Sequence, residues 1–267
     1  MKGYLSVCAI FKNEARYLAE WIEFHLLAGV EHFFLYENNS TDDHRDVLAP
    51  YVRAGVVTVT DFPQFPPQKA AYNHCLEANR HDWRWIAFID LDEFLFSPRM
   101  VPVPQVLRHY EHLPGVGALW VIFGTSGYKT PPPGLVLENY TWRRIWPRRP
   151  REWKSIVDPR RVEHALGAHS FRYTDPAFMA PVPTFASFDD LRLNHYLMKS
   201  EQELKVKLEQ YSPDGGYKGR GWRLEPLLRT DPGCVEETIL PYAPALREAL
   251  GARGISTEDG RPVKGRV

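Results

Sequence analysis

Three carboxylates close an apolar run in the stretch RWIAFIDLDEFLF, residues 84–96: Asp90, Asp92 and Glu93. The preceding residues, Trp85 to Ile89, are apolar on both faces, as in a central strand of a parallel sheet. Like charges this close repel, and burying them is costly unless a cation, a basic side chain or open water compensates. In an extended segment side chains alternate, so Asp90 and Asp92 are expected to point to one side and Glu93 to the other. Two carboxylates facing one ligand suit a hard divalent cation, Mg²⁺ or Mn²⁺, that shares its coordination with phosphate oxygens. Such a cation acts as a Lewis acid on a departing diphosphate. Glu93, pointing away, is expected to make a structural pair.

The elements that must carry these residues alternate along the chain. Tyr4–Phe11 reads as a strand. Leu18, Trp21, Ile22 and His25 recur at helical spacing, which predicts a helix over Ala15–Leu27 that ends before Gly29 and places His25 in the core. Strands are expected at His32–Tyr36 and Val56–Thr60, a helix at Pro66–Arg80, and then the strand that runs to Asp90. This rhythm means βαβ units and an α/β fold with a mostly parallel central sheet flanked by helices. In such sheets ligands bind beyond the carboxyl ends of the strands. Lys12-Asn13-Glu14, Glu37-Asn38-Asn39-Ser40 and Asp90-Leu91-Asp92 all fall there. One more strand is expected at Gly117–Phe123. Residues 124–161, rich in Pro, Trp and Arg, read as irregular. Ser200 and Glu203 form a capping box that opens a helix in SEQELKVKLEQ, and residues 256–267 read as frayed.

A chain of 267 residues can bury a core in one domain. With 33 basic and 33 acidic residues, no overall attraction to nucleic acid is expected. The three cysteines, Cys8, Cys75 and Cys234, are far apart in sequence, unlike a disulfide framework or a zinc site. No apolar run is long enough to span a bilayer. A soluble cytoplasmic protein is expected, with peripheral membrane contact through residues 142–161 as an additional use of that stretch.

Three segments carry a resemblance: KNEARYLAEWIEFHLLAGVEHFFLYENNSTDD (12–43), FIDLDEFLF (88–96) and NHYLMKSEQELKVK (194–207). Together, and in this order, they resemble the family-92 glycosyltransferases and related family-2-like enzymes. The resemblance implies a GT-A-type nucleotide-binding fold over one glycosyltransferase domain, residues 1–267. Residues 1–100 would form the nucleotide-binding half, 101–210 an irregular acceptor and catalytic half, and 211–267 a C-terminal extension. It implies an inverting, metal-dependent hexosyl transfer from a nucleotide-diphosphate sugar, by analogy a uridine one, to a glycan or lipid-linked glycan. It also implies that Asp92 contacts Mn²⁺ or Mg²⁺ directly, and that Asp90 orients the ribose or reaches the metal through water. A late histidine, His195, would complete the metal site from a loop before the capped helix, with His169 in GAHSF as the rival ligand. Imidazole suits Mn²⁺ better than Mg²⁺.

Nucleotide recognition is expected at the other strand ends. Lys12 and Asn13 follow the first strand, where Glu14 resembles the acid that contacts ribose or base. Asn38, Asn39 and Asp42 follow the second, where base-edge hydrogen bonds are made; the competing reading of Asn38–Ser40 is a turn cluster. Lys69 and Asn73 share a helix face, Lys69 for a phosphate and Asn73 along the nucleotide. The catalytic base should come from the irregular half. Asp158, Glu163, Asp175, Asp189 and Asp190 are candidates, and Asp158 stands out because Lys154 and Arg160 flank it. Residues 142–161 hold eight Arg or Lys; there Trp142, Trp146, Trp153 and Lys154 are expected to face the acceptor, since aromatic faces stack on sugars. Two other classes are weighed. A haloacid-dehalogenase-type phosphatase would use Asp90 as nucleophile but expects a small or β-branched residue where Phe94 stands. A non-catalytic sugar- or calcium-binding module would leave the nucleotide half unexplained, and an EF-hand loop would need a glycine and a further ligand; a degenerate transferase that only binds its sugar nucleotide or cation stays as the alternative.

Overall fold

A computed structural model describes residues 1–144, 153–178, 183–209 and 233–263. The first half follows the expected rhythm. It comprises β1 (Gly3–Phe11), α1 (Ala15–Leu27), β2 (His32–Glu37), α2 (His44–Arg53), β3 (Val57–Asp61), α3 (Gln68–Asn79) and β4 (Trp83–Phe88). These are followed by β5 (Glu93–Phe96), α4 (Val103–Leu107), β6 (Gly115–Ile122), α5 (Val136–Asn139), β7 (Trp142–Arg144) and β8 (Trp153–Val157). Then come β9 (Val162–Ala165), β10 (Phe171–Tyr173), β11 (Arg192–His195), α6 (Glu201–Glu209), β12 (Gly233–Val235) and α7 (Ala243–Ala252).

One eight-stranded sheet in the order β3-β2-β1-β4-β8-β6-β11-β5 forms the centre. The strands β3, β2, β1 and β4 are parallel neighbours; β8 runs antiparallel between β4 and β6, and β5 runs antiparallel along β11 at the far edge. The sheet is thus mixed and mostly parallel, in an α/β arrangement. Alternation along β1 splits the core in two. Leu5, Val7, Ala9 and Phe11 pack with Leu18, Trp21 and Ile22 of α1 on one face. Cys8 and Ile10 pack with Ala71, Tyr72 and Cys75 of α3 on the other, where the β9–β10 hairpin adds Val162, Phe171 and Tyr173. Both faces of the strand are covered, which is why its sequence is apolar throughout.

Helix α1 has the expected bounds, and Gly29 follows it at φ 97° with Pro104 so close that a Cβ would lie 2.8 Å from the proline Cδ. His25 is in the core as expected: its Nε2 accepts from the Leu95 N–H at 3.0 Å, and burial pushes its pKa down to about 3.

Four expectations are corrected. Helix α2 is absent from the sequence reading because Pro50 sits within it, although Val47, Leu48 and Tyr51 mark its buried face. The stretch read as irregular contains β8, a central strand, because Ile156 and Val157 are fully buried between β4 and β6. Asp90 to Glu93 is not extended: the Glu93 N–H donates to the Asp90 carbonyl at 3.1 Å, so the two aspartates lie in a tight turn between β4 and β5. Residues 256–263 pack on the body rather than fray: Arg261 pairs with Asp43 at 3.0 Å, and a Cβ on Gly260 would lie 2.0 Å from the Arg16 carbonyl oxygen. Helix α7 shares the α1 core through Leu246 and Leu250.

Candidate active site

The carboxyl ends of β1, β2, β4, β6 and β11 share one edge of the sheet, since these strands all run in the same direction. Asp90 and Asp92 lie there because β4 ends at Phe88 and the chain turns at once toward β5. Each aspartate has its own cationic partner. Asp90 Oδ2 accepts from Lys154 Nζ at 2.8 Å and Asp90 Oδ1 from Gln68 Nε2 at 3.0 Å. Lys154 is fully buried and stands 3.9 Å from Glu93 Oε2. Burial works against the lysine's charge, but Asp90 and Glu93 outweigh it and raise its pKa. Glu93 is completely buried, accepts from the Asp90 N–H at 2.8 Å and so pins the turn, which is the structural role expected for it. Burial, helped by Asp90 and Asp92 and opposed by Lys154, pushes its carboxyl well above the usual range.

Asp92 is ion-paired to Lys207 Nζ and lies 3.4 Å from His195 Nε2. Burial disfavours its charge, but Lys207 and His195, aided by Lys199, hold the carboxyl well below the usual range. His195 is the last residue of β11 rather than part of a loop, with Trp120 4.2 Å away in an edge-on contact. Its Nδ1 lies 3.9 Å from Glu93 Oε1, and both atoms are buried without a hydrogen-bond partner.

These residues bear on whether a divalent cation fits. Among the described residues, no three His, Cys, Asp or Glu side chains are clustered as a metal-holding set. Asp92 and His195 are two donors side by side, which suits a cation that completes its shell with diphosphate oxygens. Asp90 is different: both its oxygens already serve buried protein donors. Asp90 is balanced by Lys154 and held by Gln68, yet its side chain is 33% exposed, which leaves lone pairs for the ribose or water-mediated metal contact expected of it. Lys154, expected to face an acceptor, is corrected to a buried partner of Asp90.

His169 lies at the Trp120 and Trp153 side chains, with its ring 5.4 Å from Trp120 and 6.4 Å from Trp153, and its Nδ1 is 2.7 Å from the Trp153 carbonyl. Trp153 also meets Phe185, which is exposed, at 5.3 Å. Trp120, His169, Trp153 and Phe185 thus form an aromatic wall that begins at His195. Trp142 is exposed on β7 beside Gly124, with its indole packed over Gly233. Trp146 lies outside the described residues.

The strand-end polar residues mostly build the loops. The Asp42 carboxylate accepts from the Ala15 N–H at 2.8 Å and pairs with His44 at 2.9 Å, capping α1 from outside. Asn38 Nδ2 donates to the Phe62 and Gln64 carbonyls, and Asn13 Oδ1 accepts from the Thr41 N–H. Asn13 and Asn39 hold the left-handed conformation, at φ 56° and 57°, which asparagine tolerates. Lys12, Asn39 and Lys69 are exposed. Glu14 pairs with Lys199 at 3.3 Å. Asn73 is corrected: its Oδ1 accepts from the Ala165 N–H at 2.7 Å and ties α3 to the β9–β10 hairpin.

Asp158 is also corrected. It follows β8, which is antiparallel to β4, so it lies at the edge opposite Asp90. It is buried, salt-bridged to Arg84 at 2.7 Å and Arg160 at 2.8 Å, and caps the turn at 159–161. Asp158→Asn is expected to lower unfolding free energy by roughly 1–3 kcal/mol, the scale of charged hydrogen bonds, and to leave kcat unchanged. Denaturant melts paired with turnover would show this, and a kcat loss at unchanged stability would restore Asp158 to the chemistry.

Sequence reading passed over Gln68, Lys199, Lys207 and Trp120. The signals were there: a lone lysine within the apolar strand WKSIV needs a carboxylate partner, and two lysines frame Glu203 at helical spacing in KSEQELKVK.

The sequence profile of Glycosyltransferase family 92 matches residues 3–217. A glycosyltransferase family 92 protein of Oryza sativa subsp. japonica is 37% identical over 166 residues, 61% of this chain and 28% of the relative. A galactan beta-1,4-galactosyltransferase of Arabidopsis thaliana is 30% identical over 104 residues, 35% of this chain and 20% of the relative. The crystal structure of S. aureus TarS in complex with UDP aligns at TM-score 0.39 and 16% identity, over 58% of this chain and 47% of that one. The chain spans 28% to 37% of the length of the family 92 relatives it matches. Among the described residues no helix is long and apolar enough to cross a membrane.

Proposed function

The chain belongs to glycosyltransferase family 92, and on that premise we propose that it transfers a hexosyl group from a nucleotide-diphosphate sugar, a uridine one by analogy, to a glycan hydroxyl by an inverting displacement. The observation that carries this reading is the charge arrangement at the sheet edge: Asp90 and Asp92 with only Leu91 between them, and Lys154, Lys199, Lys207 and His195 around them. Such a site can receive a polyanion and a cation together. Asp92 and His195 would hold Mn²⁺ or Mg²⁺, which supplies charge neutralisation for the leaving diphosphate. Lys154 holds Asp90 in place through a 2.8 Å salt bridge, so that the partly exposed carboxylate can accept hydrogen bonds from a ribose. Lys199, charged although buried, adds positive potential close to Asp92. The aromatic wall from Trp120 to Phe185 supports an acceptor site for a sugar ring, stacked as carbohydrates stack on indole faces. The galactan galactosyltransferase among the relatives makes galactose the first donor to try.

The test is incubation with UDP-sugars and Mn²⁺, with and without β-galactan oligosaccharides. Release of UDP, faster when acceptor is present, is expected. Release of inorganic phosphate from simple phosphomonoesters, with no UDP from any UDP-sugar, would overturn the reading in favour of a phosphatase.

A further inference from the structure

Lys207 differs from the other lysines of the site in how it is held. The entry to its helix α6 is fixed: Ser200 and Glu203 cap one another reciprocally, and Glu203 also accepts from Tyr17 and, at 3.4 Å, from Tyr140. Lys199, just before the cap, reaches Glu14 and lies 3.8 Å over the Tyr17 ring. Lys207 stands one helical turn beyond Glu203 on the same face. Its ammonium contacts Asp92 Oδ2, with the Leu197 carbonyl 3.3 Å away. The Lys207 side chain is 29% exposed and that of Asp92 8%. Lys154, by contrast, is sealed against Asp90 with its side chain 1% exposed. One aspartate therefore has a built-in lysine, and the other has a lysine that reaches it from solvent along a flexible stem.

A carboxylate as buried as Asp92 needs a cation beside it at all times. His195 Nε2 faces Asp92 Oδ1 and the Lys207 ammonium faces Oδ2, so a divalent cation held between Asp92 and His195 would stand across one carboxylate from the ammonium, where the two positive charges repel and each weakens the hold of the other. A diphosphate offers the ammonium a second anion of the same kind within reach of its stem. Lysine suits such an exchange, because it acts as a mobile point charge and not as a fixed fork.

Resting on the assignment of Asp92 as the cation-bearing carboxylate, we propose that Lys207 is a displaceable internal counter-ion that becomes a ligand of the donor. It neutralises Asp92 in the free protein, and it passes to the diphosphate when a divalent cation takes Asp92. Metal alone then binds against competition, whereas metal and nucleoside diphosphate bind together without it.

The experiment measures Mn²⁺ binding to the intact chain by electron paramagnetic resonance of the free ion, and UDP binding calorimetrically at saturating Mn²⁺. Without nucleotide, Lys207→Gln is expected to bind Mn²⁺ at least about tenfold tighter than wild type, the scale of one charge-assisted contact. With Mn²⁺ saturating, the same variant is expected to bind UDP about tenfold more weakly. Lys207→Arg, which keeps the charge, should show the wild-type pattern in both and guards against a folding defect. A merely structural Lys207 would not move the two affinities in opposite directions. Unchanged or weaker Mn²⁺ binding by Lys207→Gln overturns the proposal, provided that Asp92→Asn abolishes Mn²⁺ binding. Mn²⁺ binding that survives Asp92→Asn overturns the underlying assignment instead, and the proposal with it.

Discussion

Asp92→Asn is expected to lower kcat for sugar transfer by about 10²–10³, the effect of removing one preorganised electrostatic stabiliser, while the protein stays folded. Asparagine keeps the shape and one oxygen that can accept from Lys207, but not the charge. The turn that carries Asp92 is fixed by Glu93, through the Asp90 N–H, and by the Tyr196 N–H on the Asp92 carbonyl at 2.8 Å. None of these contacts uses the Asp92 carboxylate. Loss of that charge therefore falls on the cation and the leaving diphosphate. Steady-state UDP release with near-UV circular dichroism as a fold control would test this. Turnover within a few-fold of wild type would show that the reaction does not depend on charge at Asp92.

The second large effect is one of stability. Lys154→Met removes the ammonium that serves both Asp90 and Glu93 while filling much the same volume. Breaking a buried ion pair from one side costs roughly 3–5 kcal/mol, because the other charge is left uncompensated. Chemical denaturation at neutral pH should show a loss of that order. The deficit should shrink in acid. Glu93 has its folded pKa raised above the unfolded value, so its ionisation costs stability as pH rises through and above the ordinary carboxylate range. Without Lys154 that cost grows. As pH falls toward the unfolded value, Glu93 takes up a proton in the folded state and the uncompensated charge disappears. A deficit that widens as pH falls would mean that Lys154 acts only through packing.

The parallel half of the sheet was legible because its signals are local. Apolar strands covered on both faces, the helical spacing from Leu18 to His25 and the Ser200–Glu203 cap each depend on residues close in sequence, and each appears where the pattern puts it. Helix α2 was hidden by Pro50, since a proline within a helix is usually read as a break. Strand β8 was hidden by its surroundings: WKSIV is short, carries a lysine, and follows a basic and proline-rich stretch, so only insertion between β4 and β6 makes it a strand.

The sequence by itself determined that two aspartates would stand at the carboxyl edge of a parallel sheet, because strand polarity and the end of an apolar run are written locally. Glu93 does serve structure, but by pinning a turn rather than by pointing away from an extended segment. What only the tertiary structure decided is which charge meets which carboxylate. Lys154 is 64 residues from Asp90 and Lys207 is 115 from Asp92, and nothing local links them. The antiparallel course of β8 brings Lys154 to the Asp90 edge and carries Asp158 to the opposite one. The physical reason is that electrostatic pairing acts through space, at distances set by strand order and direction, whereas helix and strand formation act through neighbours along the chain.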